Sequence, residues 1–181
     1  ADEGFDNARD LGIHVDLLVG DLDSASPGAV HQAQAVERHP ADKDETDLEL
    51  ALAAALNAGM ESVTVIGTID GRVDHALGNL LVVAADRWAD LRIDLRIDGT
   101  RAWVVRDRVE VHGTVDDLVS LLAVGGQATG VTTTGLAWPL SNGVLGPGAG
   151  LGLSNQLAVP TATVEVGSGV VIVLMPAATG L

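Results

Sequence analysis

Two textures divide this chain, and the division constrains the fold more than any other feature. Up to about residue 90, strand-length apolar runs alternate with helix-length stretches rich in Ala and Leu. Residues 16–20 (DLLVG) read as a buried strand. Residues 46–58 read as a helix, with Leu48, Leu52, Ala55 and Leu56 on one face. Residues 63–67 (VTVIG) read as a second strand and 73–88 as a second helix. Strand, helix, strand, helix is the order of a parallel sheet covered by helices. After residue 90 strand-length runs follow one another with only turns between them. They fall at 91–97, 102–106, 109–112, 118–123, 129–133, 158–166 and 170–175, with a glycine-dense loop between Gly143 and Gly152. That pattern predicts a sandwich or barrel. The expectation is an α/β domain over 1–90 followed by a β domain over 91–181, with no internal repeat. The α/β half starts late. Ala1 and Asp2 read as the tail of a strand, so either a segment precedes them or the sheet is smaller than usual.

The chain has 181 residues, 47% of them hydrophobic, which is enough to bury a core in one large or two small domains. Its net charge of -15 argues against a polyanionic partner such as nucleic acid. An anionic small ligand needs metal ions to screen the carboxylates, whereas a cationic ligand is favoured. The absence of cysteine excludes disulfides, zinc-thiolate sites and thiol nucleophiles, and is compatible with a cytoplasmic protein. The first six residues (ADEGFD) have neither a basic n-region nor an apolar h-region, and no apolar run reaches membrane-spanning length. The expectation is therefore a cytoplasmic protein with no membrane attachment.

Three polar clusters follow strands of the α/β half or open its helices. Asp21 and Asp23, with Ser24, stand directly after DLLVG. Carboxylates at i and i+2 on extended chain share a side, and open α/β sheets bind ligands at the carboxyl ends of their strands. Such hard oxygen donors suit Mg²⁺ and bound phosphates; an Asx turn capping the next helix is the competing reading. In Lys43-Asp44-Glu45-Thr46-Asp47, Thr46 and Glu49 form a T-x-x-E capping box. The box leaves Lys43 unexplained: a cation beside free helix N–H groups makes an anion site. Lys43 for phosphate and Asp47 for metal is the functional reading, with Asp44 able to face the same space. Finally, Gly71-Arg72-Val73-Asp74-His75 and Asn79 open the second helix. Arg72 suits phosphate oxygens as a fork. Alternatively, Asp74 stabilises the helix dipole and pairs with Arg72.

In the β half, Gly135-Leu136-Ala137-Trp138-Pro139-Leu140 and Leu151-Gly152-Leu153-Ser154-Asn155 stand out. Trp138 is one of three tryptophans in a chain without tyrosine, and serves either as core or as a stacking face for a ligand. Ser154-Asn155 alone reads as a turn. The chain has no G-x-x-x-x-G-K-[ST] loop, no G-x-G-x-x-G after a strand, no H-E-x-x-H and no G-x-S-x-G elbow.

Taken in order, these clusters resemble the thiamin pyrophosphokinase family. Its pattern runs ADGG, PD-x-x-x-GD-x-DS, KD-x-TD, GG-R-x-DH-x-x-x-N, G-L-x-W-x-L and SN. The matching residues are Ala1-Asp2 with Gly4, Asp16 with Gly20-Asp21 and Asp23-Ser24, and Lys43-Asp44 with Thr46-Asp47. Then follow Gly71-Arg72 with Asp74-His75 and Asn79, Gly135-Leu136 with Trp138 and Leu140, and Ser154-Asn155. Glu3, Val15 and Asp70 stand where the family often has Gly, Pro and Gly.

The resemblance implies a Rossmann-like parallel α/β domain, here lacking its opening strand, followed by an antiparallel β-sandwich. It implies a homodimer that holds thiamin between the α/β domain of one subunit and the β domain of the other. It implies Mg²⁺-dependent transfer of a pyrophosphoryl group from ATP to thiamin; a non-catalytic sensing module of the same fold is the rival. The implied metal ligands are Asp21, Asp23 and Asp47, with Asp2 assisting. The implied ATP site is Lys43, Asp44, Thr46, Arg72, His75 and Asn79. Lys43 and Arg72 would balance phosphate charge, and Asp74 would orient or deprotonate the alcohol. Trp138 would stack on the thiamin pyrimidine, with Ser154 and Asn155 bonding its edge.

Overall fold

A computed structural model describes residues 2–22, 32–68 and 71–176. Two compact units divide the chain, Ala1–Met60 and Glu61–Leu181. In the first, α1 (Asp2–Asp10) leads into β1 (Leu17–Gly20), which pairs in parallel with β2 (Ala35–Arg38), Leu18 beside Val36. Asp2, read from the sequence as the tail of a strand, instead begins a helix. Arg9 lies in the last turn of α1, where a cation opposes the helix dipole, and pairs with Asp6 at 2.8 Å. Phe5 of α1 is buried against Leu18 of β1, with Val15, Leu22 and Val36 closing around them. Burial of these side chains holds a short helix whose propensity alone would not. The next helix, α2 (Asp47–Asn57), also packs on β1 and buries Leu52.

In the second unit β3 (Ser62–Gly67), α3 (Val73–Val83) and β4 (Arg92–Ile97) form a strand–helix–strand crossover. β3 and β4 run parallel in register from Ser62↔Arg92 to Gly67↔Ile97. The texture change at residue 90 therefore does not coincide with a break in the sheet: β4 belongs to both patterns. Asp98 and Gly99, both at positive φ, turn it into β5 (Thr100–Val105), which returns antiparallel. β6 (Arg108–His112) and β7 (Leu118–Thr134) follow. Beyond them come β8 (Gly143–Leu145), β9 (Asn155–Gln156), β10 (Thr161–Glu165) and β11 (Ser168–Met175). One hydrogen-bonded path runs β3-β4-β5-β11-β7-β10-β6, with β8 and β9 on β7.

The sheet curls because β7 changes partners along its length. Residues 120–124 pair with β11 and residues 132–134 with β10. The two runs expected at 118–123 and 129–133 are thus halves of one 17-residue strand. Val111, Val119, Leu121, Val131, Leu145, Leu157, Val164 and Val173 fill the core beneath it. No helix among the described residues is long and apolar enough to cross a membrane.

Candidate functional site

The sequence builds three groups, one in the first unit and two in the second. In the first unit, β1 ends at Gly20 and delivers Asp21 to its carboxyl end. Thr46 caps α2: its Oγ1 accepts the Glu49 N–H at 3.2 Å, and its own N–H donates to Glu49 Oε2 at 2.7 Å. The capping box is formed in full, so the Thr46 side chain serves the helix. That cap sets Asp47 at the first helical position, facing Lys43. The Lys43 Nζ lies 3.1 Å from Asp47 Oδ1 and 3.6 Å from Asp21 Oδ2. Residues 26 positions apart thus meet on one ammonium. The hydrogen bond with Asp47, then the charges of Asp47 and Asp21, raise the Lys43 pKa above 10.5 and keep it cationic. Asp44 is exposed on the same loop.

Two hard carboxylates converging on one cation fit a Mg²⁺ ion, which binds through one or two carboxylates, with water and substrate phosphates completing its shell. Among the described residues no three acidic or imidazole side chains gather into a metal-ligating cluster. Asp23 and Ser24 lie outside the described residues, and so does Asp70. Asp2 is placed only as the first residue of α1.

At the start of α3, Gly71 at φ +74 makes the turn. Arg72 then forks onto Asp74, Nε to Oδ1 at 3.0 Å and Nη2 to Oδ2 at 2.8 Å. Both side chains are exposed. The Arg72 fork, helped by backbone N–H groups at the helix start, holds the Asp74 carboxyl well below the usual carboxylate range. The Asp74 carboxyl is thereby held ionised. This is the helix-start pairing that the sequence admitted as an alternative. His75 is exposed on the first turn of α3, and Asn79 is half-buried one turn on.

The third group is concave. A cavity of about 400 Å³ is lined by Trp138, Pro139, Leu140, Leu151, Leu153 and Asn155 with Gly150 and Gly152. Trp138 is not core: it is 61% exposed. Asn155 is buried beneath it. Its Nδ2 donates to the Trp138 carbonyl at 2.7 Å, and its Oδ1 accepts the N–H groups of Trp138 at 3.1 Å and Gln156 at 2.9 Å. The Asn155 amide is thus engaged by the loop it supports. Ser154 is exposed beside it at φ +54 and donates its backbone N–H to Ser120 Oγ at 3.1 Å. Leu151 and Leu153 stood in the cluster that the sequence singles out, but no role was read for them. Their alternation inside the glycine-dense loop was the available signal, since i and i+2 share a side.

Family comparisons assign both halves. The family model described as "Thiamin pyrophosphokinase, catalytic domain" matches residues 1–95, and "Thiamin pyrophosphokinase, vitamin B1 binding domain" matches 108–171. Thiamine pyrophosphokinase of Bacillus subtilis (strain 168) is 28% identical over 180 residues, covering 96% of this chain and 84% of its own. Thiamine pyrophosphokinase 2 of Arabidopsis thaliana is 28% identical, covering 92% of this chain and 67% of its own. Among solved structures, the Bacillus subtilis thiamine pyrophosphokinase superposes with a TM-score of 0.82 at 24% identity, over 97% of this chain and 85% of that one. That of Geobacillus thermodenitrificans gives 0.75 at 26% identity, over 99% and 86%.

Proposed function

This chain belongs to the thiamin pyrophosphokinase family, and on that premise we propose that it moves the pyrophosphoryl group of ATP, with Mg²⁺, onto the hydroxyl of thiamin. The products are thiamin diphosphate and AMP. The observation that carries the reading is the meeting of Asp21 and Asp47 on Lys43, inside the region matched to the catalytic domain.

Transfers of this kind depend on positioning and charge neutralisation more than on covalent chemistry by the protein. Asp21 and Asp47 would hold the Mg²⁺, with Asp23 and Asp2 as further ligands. When bound, the ion supplies charge neutralisation on the phosphate oxygens. Lys43 stays protonated through the working pH range and places a fixed positive charge beside the same oxygens. The family resemblance supports Arg72, His75 and Asn79, and Asp44 and Thr46, as ATP-binding residues, Arg72 through its guanidinium fork once it leaves Asp74. Asp74 would orient the thiamin hydroxyl or take its proton. Trp138 stacks on the pyrimidine ring inside the apolar cavity. Ser154 meets the ring's edge, and Asn155 acts mainly by holding the tryptophan. The chain's acidity favours the cationic thiazolium. The family resemblance supports a homodimer with composite sites.

The test is to incubate the protein with ATP, Mg²⁺ and thiamin and to quantify nucleotides and thiamin esters together. The expected result is AMP appearing in step with thiamin diphosphate. ADP with thiamin monophosphate would make the reaction a one-phosphate transfer. Thiamin binding with neither product would favour a sensing module.

A further inference from the structure

Among the described residues only two polar side chains are buried: Thr133, 3% exposed, and Asn155, 5% exposed. Buried polar groups need partners, and where those partners lie shows what the groups hold in place. Both hydrogen-bond one short loop. Thr133 Oγ1 accepts the Leu140 N–H at 2.8 Å, while the Thr133 N–H donates to the Leu140 carbonyl at 2.9 Å. Asn155 holds the N–H and carbonyl of Trp138 with the two ends of its side-chain amide. Pro139, which has no N–H and a fixed φ, is the one residue between the two clamps. The backbone on both sides of it is therefore pinned from the core, yet the Trp138 ring stands out against the cavity.

We propose that Thr133 is a positioning residue for thiamin binding: with Asn155 it locks the Trp138–Leu140 backbone so that the indole face is set before the ligand arrives. The inference rests on the reading that thiamin stacks on Trp138. An aromatic face fixed in advance spares the ligand the cost of ordering it. Thr133 touches no ligand; it acts through Leu140 and the proline. Loosening the clamp weakens ground-state and transition-state binding alike, so the effect falls on KM for thiamin and not on kcat.

The experiment compares Thr133→Val, Thr133→Ser and Trp138→Ala with the parent enzyme. It measures kcat, both KM values, melting temperature and the quenching of tryptophan fluorescence by thiamin. Thr133→Val keeps the shape and loses the acceptor. Its thiamin KM should rise about three- to tenfold, the scale of one net hydrogen bond, with a matching loss of quenching affinity. Its kcat and ATP KM should stay within about twofold, and Thr133→Ser should recover thiamin affinity. If Thr133→Val does not fold, Thr133→Ala makes the same comparison without burying an extra methyl. A lowered melting temperature with unchanged thiamin KM, or no recovery in Thr133→Ser, would overturn the proposal while leaving Trp138 in place. An unchanged thiamin KM in Trp138→Ala would instead overturn the stacking reading beneath it.

Discussion

Gly135 opens the loop that carries Trp138, and replacing it by alanine isolates how tightly that loop is seated. Gly135 has φ +74, and a Cβ there would strike the Thr161 carbonyl oxygen and lie 2.9 Å from Ala162 Cα. Both are backbone atoms of β10 and do not swing aside. Gly125 supplies the control: its φ is +72, yet nothing lies within 4 Å of its Cβ position. Left-handed backbone costs alanine about 1–2 kcal/mol at either site. The lost freedom of the unfolded chain returns about 0.4–1 kcal/mol at both. These two effects cancel in the comparison, leaving the collision, worth about 1–3 kcal/mol as overpacking. At about 4 °C per kcal/mol for a unit of this size, Gly135→Ala should melt about 4–12 °C below Gly125→Ala. Tryptophan fluorescence is the right probe, because Trp88, Trp103 and Trp138 all lie in Glu61–Leu181. Equal melting temperatures for the two variants would refute the close seating of Gly135 on β10.

Three further outcomes are expected. Asp21→Asn should lower kcat by about 10²–10³, the usual scale for removing one preorganised electrostatic group, with little change in melting temperature. Re-associating this chain with a Trp138→Ala chain should restore part of the activity if the site is shared between subunits, and no recovery would refute the sharing. The third outcome concerns pH. The folded Asp74 pKa lies below its ordinary 3.8, first because of the Arg72 fork. Whatever stability the pair gives is therefore present above about pH 4 and lost as pH falls through the folded value. In Arg72→Gln the Asp74 carboxyl should titrate nearer 3.8, read by side-chain NMR on acidification from about pH 6 to pH 3. An Asp74 resonance unchanged by the substitution would refute the fork as the cause.

What the sequence made legible was local. The capping box at Thr46 needs only residues three apart, and it forms as read. Strand β1, helix α2 and strands β3, β5, β6 and β11 each carry their own apolar pattern. Pairing is not local. Residues 91–97 look like any β run, and nothing in their composition says that they lie parallel to β3 on one side and antiparallel to β5 on the other. The gap between the runs at 118–123 and 129–133 implied a turn, but Gly125, at φ +72, lies inside the continuous strand β7.

The site divides the same way. Asp21, Lys43 and Asp47 stood out as charged residues following a strand or opening a helix, and the fold brings them together. Asn155 stood out too, but its hold on Trp138 spans 17 residues and leaves no trace in spacing. Thr133 is the instructive case. Three threonines stand in a row at 132–134, and composition cannot choose among them. Strand alternation can: Val131 is buried, so i+2 is the position that shares its face, and Thr133 is the threonine found inside. A polar residue on the apolar face of a strand must find a partner, and here the partner is the loop that presents Trp138. The same reasoning applies to other chains: where the period of a strand puts a hydroxyl among core residues, the backbone it binds is a candidate for the element that function needs held still.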